Sequence, residues 1–251
     1  MDYCIVGPGR VGTTLAARLT ERGRQVTLTR HAGDGRHAAC TLLAVPDDRI
    51  AECAAAVGDG PWLGMLSGAT PLEALGAGRH RTFVLHPVQT ITAEGGAAQL
   101  DGAPACVTGI DDAAAAHAEA LAEELGLVPV RIPEQVRPLP HVAAVLASNY
   151  LVAPLAAAAQ VLAAAGLPPS LVAPLAHRAV DNALAAGTQA APTGPIARGD
   201  AGTVARHLAV LRAQAPAVEP LYRTLGAATL PLVDPEAAAR VARLLVEEAA
   251  A

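Results

Sequence analysis

The chain has 251 residues, 52% of them hydrophobic and 16% charged, with 18 basic against 23 acidic side chains. That balance excludes a disordered chain, and a net charge of -5 with 2% aromatics leaves neither a basic field nor a stacking platform for nucleic acid. Every basic residue is Arg, so Schiff-base catalysis, a Walker lysine and a lysine proton donor are excluded.

In chain order, a short apolar strand is predicted over residues 2–6, followed at once by Gly7-Pro8-Gly9-Arg10-Val11-Gly12. A helix over 10–22 carries Val11, Leu15 and Leu19 on one face and ends at Gly23. A strand over 25–29 closes this first unit. A third strand is predicted at 40–45, then Pro46-Asp47-Asp48 and a helix through residue 57. Strands over 62–66 and 82–85 follow, the second leading into His86-Pro87. A sixth strand at 103–107, a helix at 111–125 capped by Asp111 or Asp112 and stopped by Gly126, and a strand at 128–132 complete the pattern. Strands alternating with helices imply an α/β, Rossmann-like, doubly wound and mainly parallel sheet.

Beyond Pro133 no strand pattern recurs. Helices are predicted over 138–165, 169–187, 200–213, 216–229 and 235–249, separated by Gly and Pro. The expected division is a dinucleotide-binding domain over 1–134 and a helical substrate and dimerisation domain over 135–251. Residues 138–176 contain no Asp, Glu or Arg, but Ser148, Asn149, Tyr150, Pro154 and Gln160 interrupt the run and no cationic cluster marks one flank. A helix apolar on most sides is here expected to be covered by other helices or by a second copy in a homodimer, not by a membrane. Cys4, Cys40, Cys53 and Cys106 form no C-x-x-C pair and read as reduced, mostly buried thiols. With no signal peptide ahead of the first strand, a cytoplasmic protein is expected. No metal site is expected.

The glycine turn carries the first chemical reading. It follows a strand and opens a helix, the context in which G-x-G-x-x-G signifies a dinucleotide site. Gly7 permits the tight turn, Gly9 lets backbone approach a pyrophosphate, and Gly12 lets helix and strand pack closely. Pro8, Arg10 and Val11 complete the turn, and the helix N-terminus offers free N–H groups to phosphate. The second strand ends in Thr29-Arg30-His31 with no acid for ribose hydroxyls, while Arg30 can grip a 2′-phosphate, so NADP is expected in preference to NAD.

Ala44, Val45 and Pro46 end the third strand at the carboxyl edge of the sheet, where they line the expected cofactor site. Ser67 ends the next strand, either beside the nicotinamide or as a turn or cap residue. His86 leaves a buried strand at the same edge and titrates near physiological pH, which suits proton transfer to a carbonyl or imine; it can equally orient its loop. Gln89 follows as a candidate substrate contact. His141 opens the long helix, and at 100° per residue Ser148 returns to within about 20° of it and Asn149 to about 80°. Polar groups on so apolar a helix either satisfy one another or face a cavity. Asp200 fits an N-cap; Arg198 can pair with it or clamp a substrate carboxylate.

Taken together, the glycine turn, AVPDD, LSGA, HPVQT, HVAAVLASNYLV and TGPIARGD resemble a bacterial family that pairs a Rossmann-like NADP-binding domain with a helical domain of unknown function. Wider relatives are similar to ketopantoate reductase, pyrroline-carboxylate reductase, prephenate dehydrogenase and deazaflavin-dependent NADP oxidoreductases. The resemblance implies a helical domain of the 6-phosphogluconate-dehydrogenase C-terminal type, often dimer-forming, with substrate held between the domains. His86-Pro87 resembles the HP element of the prephenate dehydrogenase branch. Ketopantoate reductases use a lysine this chain lacks, so His86 or His141 would supply the proton. The expected function is NADP-dependent hydride transfer to or from a small oxo acid or imine, with His86, His141 and Asn149 in catalysis and Gln89, Ser148 and Arg198 on the substrate. The alternative is a non-catalytic NADP-binding or sensing module whose helical half binds a protein.

Overall fold

The computed structural model describes residues 2–246. They form two compact units, the first ending at Ser148 and the second beginning at Asn149. Residues 135–148, which the sequence reading groups with the helical half, pack with the sheet.

The first unit contains β1 (Asp2–Val6), α1 (Arg10–Glu21), β2 (Gln25–Thr29), β3 (Cys40–Leu43), α2 (Ile50–Val57), β4 (Trp62–Met65), β5 (Thr82–Pro87), β6 (Pro104–Gly109), α3 (Asp112–Glu124), β7 (Val128–Arg131) and α4 (Pro138–Ala144). The strands make one sheet in the order β2-β1-β3-β4-β5-β6-β7. The first five run parallel, β6 returns antiparallel to β5, and β7 lies parallel to β6. This is a Rossmann-like, doubly wound, mainly parallel sheet.

Strand alternation explains the two layers. In β1, Tyr3 and Ile5 join Leu15 and Leu19 of α1 and Leu121 of α3 in one core, whereas Cys4 and Val6 join Ile50 and Val57 of α2 in the other. Each leucine fully buried in this way contributes about 1.5–3 kcal/mol. All four cysteines are buried in this unit. Asp111, rather than Asp112, caps α3 by accepting the Ala114 N–H at 2.8 Å. Among the strand ends that differ from expectation, two bear on the site. β3 stops at Leu43, freeing Ala44 and Val45 to line a groove. β5 runs through His86 and Pro87, because the antiparallel β6 pairs His86 with Cys106 and Pro87 with Ala105.

One half-buried histidine lies away from that edge. His117 of α3 stacks on Trp62 at 4.2 Å and meets Phe83 edge-on at 5.3 Å, and its buried Nε2 has no hydrogen-bond partner. Burial holds its pKa below the ordinary 6.5. The unfolded ring therefore takes up protons first, so stability is full above about pH 6.5 and is lost as pH falls below it. His117→Phe keeps the stack and removes the titration. It is expected to recover about 1 kcal/mol of stability at mildly acidic pH. Melts followed through Trp62, the sole tryptophan, check this; equal acid sensitivity in both proteins would refute it.

The helix predicted over 138–165 is interrupted. After α4 comes a π-turn, Val145–Asn149, and then α5 (Val152–Ala164) in the second unit. The Ser148 hydroxyl donates to the Ala144 carbonyl at 2.6 Å, a back-bond that accompanies the departure from regular winding. The 100° phase relation among His141, Ser148 and Asn149 therefore does not hold.

The second unit continues with α6 (Ala173–Ala186), α7 (Ala201–Gln214), α8 (Glu219–Thr229) and α9 (Pro235–Val246). Residues 247–249 of the last predicted helix lie outside the described residues. Val204 and Leu208 of α7 pack on Val241 and Leu245 of α9 as a small core. Asp200 caps α7, accepting the Thr203 N–H at 3.0 Å and hydroxyl at 2.7 Å. Leu171, Leu175 and Leu184 are exposed, the last at 82%. Among the described residues, one helical stretch, Glu134–Ala164, is long and apolar enough to cross a membrane, and its most apolar part is not buried.

Candidate functional site

Two glycines of the turn have no freedom to be anything else. Gly7 has φ +110°, and a Cβ there would stand 2.2 Å from the Ala44 carbonyl oxygen. A Cβ on Gly12 would stand 2.0 Å from the Gly7 carbonyl oxygen. Gly9 differs, with nothing within 4 Å of its Cβ position. It sits at the N-cap of α1 with φ −80° and ψ −177°, a conformation open to any residue. Space is thus kept above Gly9 and denied at Gly7 and Gly12.

A groove of about 390 Å³ opens beside this turn, lined by Gly7, Pro8, Gly9, Arg30, Ala44, Val45 and Pro46, together with Arg49 and Cys53. Arg10 is exposed at the start of α1, and its carbonyl accepts the Thr14 hydroxyl at 2.9 Å. The Thr29 carbonyl accepts the Gly7 N–H at 2.8 Å, tying the turn to β2. The Thr29 hydroxyl donates to Asp34 at 2.7 Å, so an acid stands at the tip of β2 after all, delivered by the following turn.

A second cavity of about 250 Å³ is lined by Val11, Ala44, Val45, Asp47, Leu66, Ser67, His86, Pro87, Gln89 and Ile91. Ala44 and Val45 border both spaces, so groove and cavity meet along the edge of β3. The Ser67 hydroxyl bonds Asp47 at 2.9 Å and Thr70 at 3.0 Å, and accepts the Thr70 N–H at 2.9 Å. It is both a turn residue and a cavity wall. The Gln89 amide donates to the Gln99 carbonyl at 3.2 Å and accepts the Thr90 N–H at 2.9 Å.

His86 has a defined tautomer. Its Nδ1 lies 2.9 Å from the Leu66 carbonyl, which can only accept, so Nδ1 carries the proton and Nε2 of the neutral ring is a lone pair. That Nε2 is buried without a partner, as is Nδ1 of His141. The rings are 5.4 Å apart and 70° inclined. Both orphan atoms face one point: a Cβ on Gly68 would stand 2.8 Å from His86 Nε2 and 2.9 Å from His141 Nδ1. Burial is the main cause that holds the His86 pKa below 6.5; the Leu66 hydrogen bond opposes it, His141 and Arg137 reinforce it, and Asp47 opposes it.

The first unit therefore brings together the glycine turn, Arg30, residues 44–46, Ser67, His86, Gln89 and His141. Asn149 and Arg198 belong to the second unit. There Asp200 is satisfied by Thr203, and Arg198 makes no ion pair with it among the described residues. Sequence reasoning assigned no role to Asp34, Arg49, Glu134 or Arg137. Arg49 had a signal in its position just past a strand end. Asp34 had none, since only the turn's course brings it to Thr29.

The fold is that of a Rossmann-like dinucleotide-binding protein with a helical second unit. Residues 103–229 match the family described as a domain of unknown function (DUF2520), and the chain belongs to that family. Among solved structures it is similar to a Bacteroides fragilis protein named as an NADP oxidoreductase, at 22% identity over 90% of this chain and 96% of that one, with a TM-score of 0.79. It is also similar to a reductive aminase from Aspergillus terreus in complex with NADPH and ethyl levulinate, at 16% identity over 97% and 99% of the two chains, TM-score 0.70. An imine reductase from Streptomyces aurantiacus aligns at 14% identity over 98% and 100%, TM-score 0.64. No curated protein sequence matches. These likenesses establish the fold.

Proposed function

We propose that the protein is an NADP-dependent oxidoreductase acting on a small carbonyl or imine compound, oxo acids included. The observation that carries this reading is the open space at Gly9 in a groove that adjoins, along Ala44 and Val45, a cavity lined by His86. Gly7, Gly9, Gly12, Pro8, Arg10 and Val11 would hold the pyrophosphate, Thr29 and Arg30 the adenosine end, and Ala44, Val45, Pro46 and Ser67 the rest. When bound, the cofactor supplies or accepts a hydride.

The chain's own residues handle the proton. The lone pair on His86 Nε2 accepts a proton or a hydrogen bond in the oxidation direction and returns it in reduction. His141 Nδ1 stands at the same point and shares that duty. Gln89 and Ser148, in the first unit, are proposed to orient substrate. The named activities of the Bacteroides, Aspergillus and Streptomyces proteins agree with this class of reaction.

Arg30 decides the coenzyme. It is the guanidinium nearest the end of β2 in the chain and lines the groove with Arg49, whereas Asp34 favours ribose hydroxyls over a phosphate. Arg30→Ala is expected to weaken NADPH binding about tenfold or more, or ~1.4 kcal/mol, and leave NADH binding unchanged. Titration calorimetry with both coenzymes checks this, and a wild-type protein that binds neither would end the oxidoreductase reading. A protein that binds NADPH but oxidises it with no 2-oxo acid, aldehyde or imine would instead leave a sensing module.

We further propose a cytoplasmic homodimer formed through the helical half. The exposed leucines of α6 and the exposed Leu151, Val152 and Leu155 call for cover, and Ser148, Asn149 and Gln160 suit a protein partner better than lipid.

A further inference from the structure

Arg137 is 2% exposed and itself lines neither the groove nor the cavity. Its Nε and Nη2 donate to the two carboxylate oxygens of Glu134 at 2.9 and 3.0 Å. Nη1 donates to the Ser67 carbonyl at 3.0 Å, and Nη2 also donates to the Thr70 carbonyl. Glu134 in turn accepts the Leu72 N–H at 2.9 Å. Three backbone groups of the loop 67–72 thus hang on one ion pair. Burying such a pair gives little net stability over apolar residues of the same size, so its value lies in the position it fixes.

The loop so held carries Gly68, the residue that faces both orphan imidazole nitrogens. Its neighbour Leu66 supplies the carbonyl that fixes the His86 tautomer. The hydrogen bonds from Arg137 to this loop end on backbone carbonyls of Ser67 and Thr70.

We propose that Glu134 and Arg137 are positioning residues, a buried strap that holds the loop 67–72 down over His86 and His141 and keeps both unpartnered nitrogens dry. The groups facing His86 are His141 from α4, Arg137 from the turn ahead of α4, and Asp47 from the turn after β3. Loosening the strap admits water to the rings, which raises the pKa of His86 toward the ordinary imidazole range. The proposal rests on reading the two histidines as the proton-handling pair.

The test is histidine titration by NMR on the full-length chain with ring-labelled histidine, with amide exchange read in the same samples. Arg137→Lys keeps the charge and its pairing with Glu134 but loses the fork that reaches two carbonyls. The double variant Glu134→Gln with Arg137→Gln cuts the strap and also removes the Arg137 charge that itself lowers the His86 pKa, so Arg137→Lys, which keeps that charge, is the deciding variant. In both, the His86 midpoint is expected to rise, and the Leu72 amide to exchange about tenfold faster in the double variant. Gly68→Ala, with the strap intact, lifts the loop from the other side and is expected to raise the midpoint as well. A His86 midpoint that stays at the wild-type value in folded Arg137→Lys overturns the proposal. NADPH affinity stays at the wild-type value throughout if the strap acts on the histidines alone, and a parallel fall in affinity would overturn that assignment. Failure of the wild-type protein to bind NADPH would sink the oxidoreductase reading while leaving the titration result standing.

Discussion

Gly9→Ala is expected to leave the protein folded and to weaken NADPH binding by about 10- to 100-fold, which corresponds to ~1.4–2.8 kcal/mol. The backbone at Gly9 is in a region alanine adopts freely, and no atom lies within 4 Å of the added methyl group. Folding therefore has no reason to respond. The pyrophosphate would have to occupy that emptiness to reach the free N–H groups of α1, so the methyl displaces it. The same change at Gly7 or Gly12 is uninformative, since each would drive a Cβ into a carbonyl oxygen. Thermal unfolding and calorimetry on one preparation separate the two effects. Unchanged NADPH affinity in folded Gly9→Ala would remove the basis for placing phosphate there.

Replacing either histidine of the pair should lower turnover by about 10²–10⁴-fold without changing cofactor affinity. His86→Phe removes the unpartnered Nε2 contributed by β5; His141→Phe removes the unpartnered Nδ1 contributed by α4. The pH dependence has a definite sign. Burial keeps His86 below the ordinary 6.5, so its neutral, proton-accepting form persists below about pH 6.5. Activity in the oxidation direction should hold at neutral pH and fall on the acid side as the ring charges. Stopped-flow measurement of NADPH formation or consumption across pH checks this once a substrate from the carbonyl and imine panel is in hand. Full turnover in His86→Phe would reassign the chemistry.

The sheet half of the fold was legible because its signals are local. A strand, a glycine turn and a helix within about 30 residues leave few alternatives, and Gly12 answers a steric demand set by Gly7 in the same turn. His86 was legible for the same reason, as a polar residue at the end of an apolar run. The rest depends on contacts that sequence spacing does not encode. Glu134 and Arg137 sit between Pro133 and Pro138 and read as a linker, yet their partners are some 60 to 70 residues earlier in the chain. The π-turn at Val145–Asn149 escaped because a period of 3.6 assumes regular winding, and one serine back-bond accompanies its loss. Asp34 escaped because the rule looks for an acid at the end of β2, whereas here a short turn returns one to Thr29.

The reversal of β6 against β5 has a consequence for how the protein can diversify. Parallel neighbours need a crossover helix between them, but this antiparallel pair is joined by residues 88–103, an excursion that starts and ends on the same rim as His86. It contributes Gln89 and Ile91 to the cavity and is pinned from behind by Arg18, which bonds Ala97 at 2.7 Å and Asp101 at 2.7 Å. Such a segment can be recut in length or composition without unthreading the wound half of the sheet, which makes it the natural hinge of evolvability here. A library confined to it would vary what the cavity accepts while the dinucleotide cradle stays as it is.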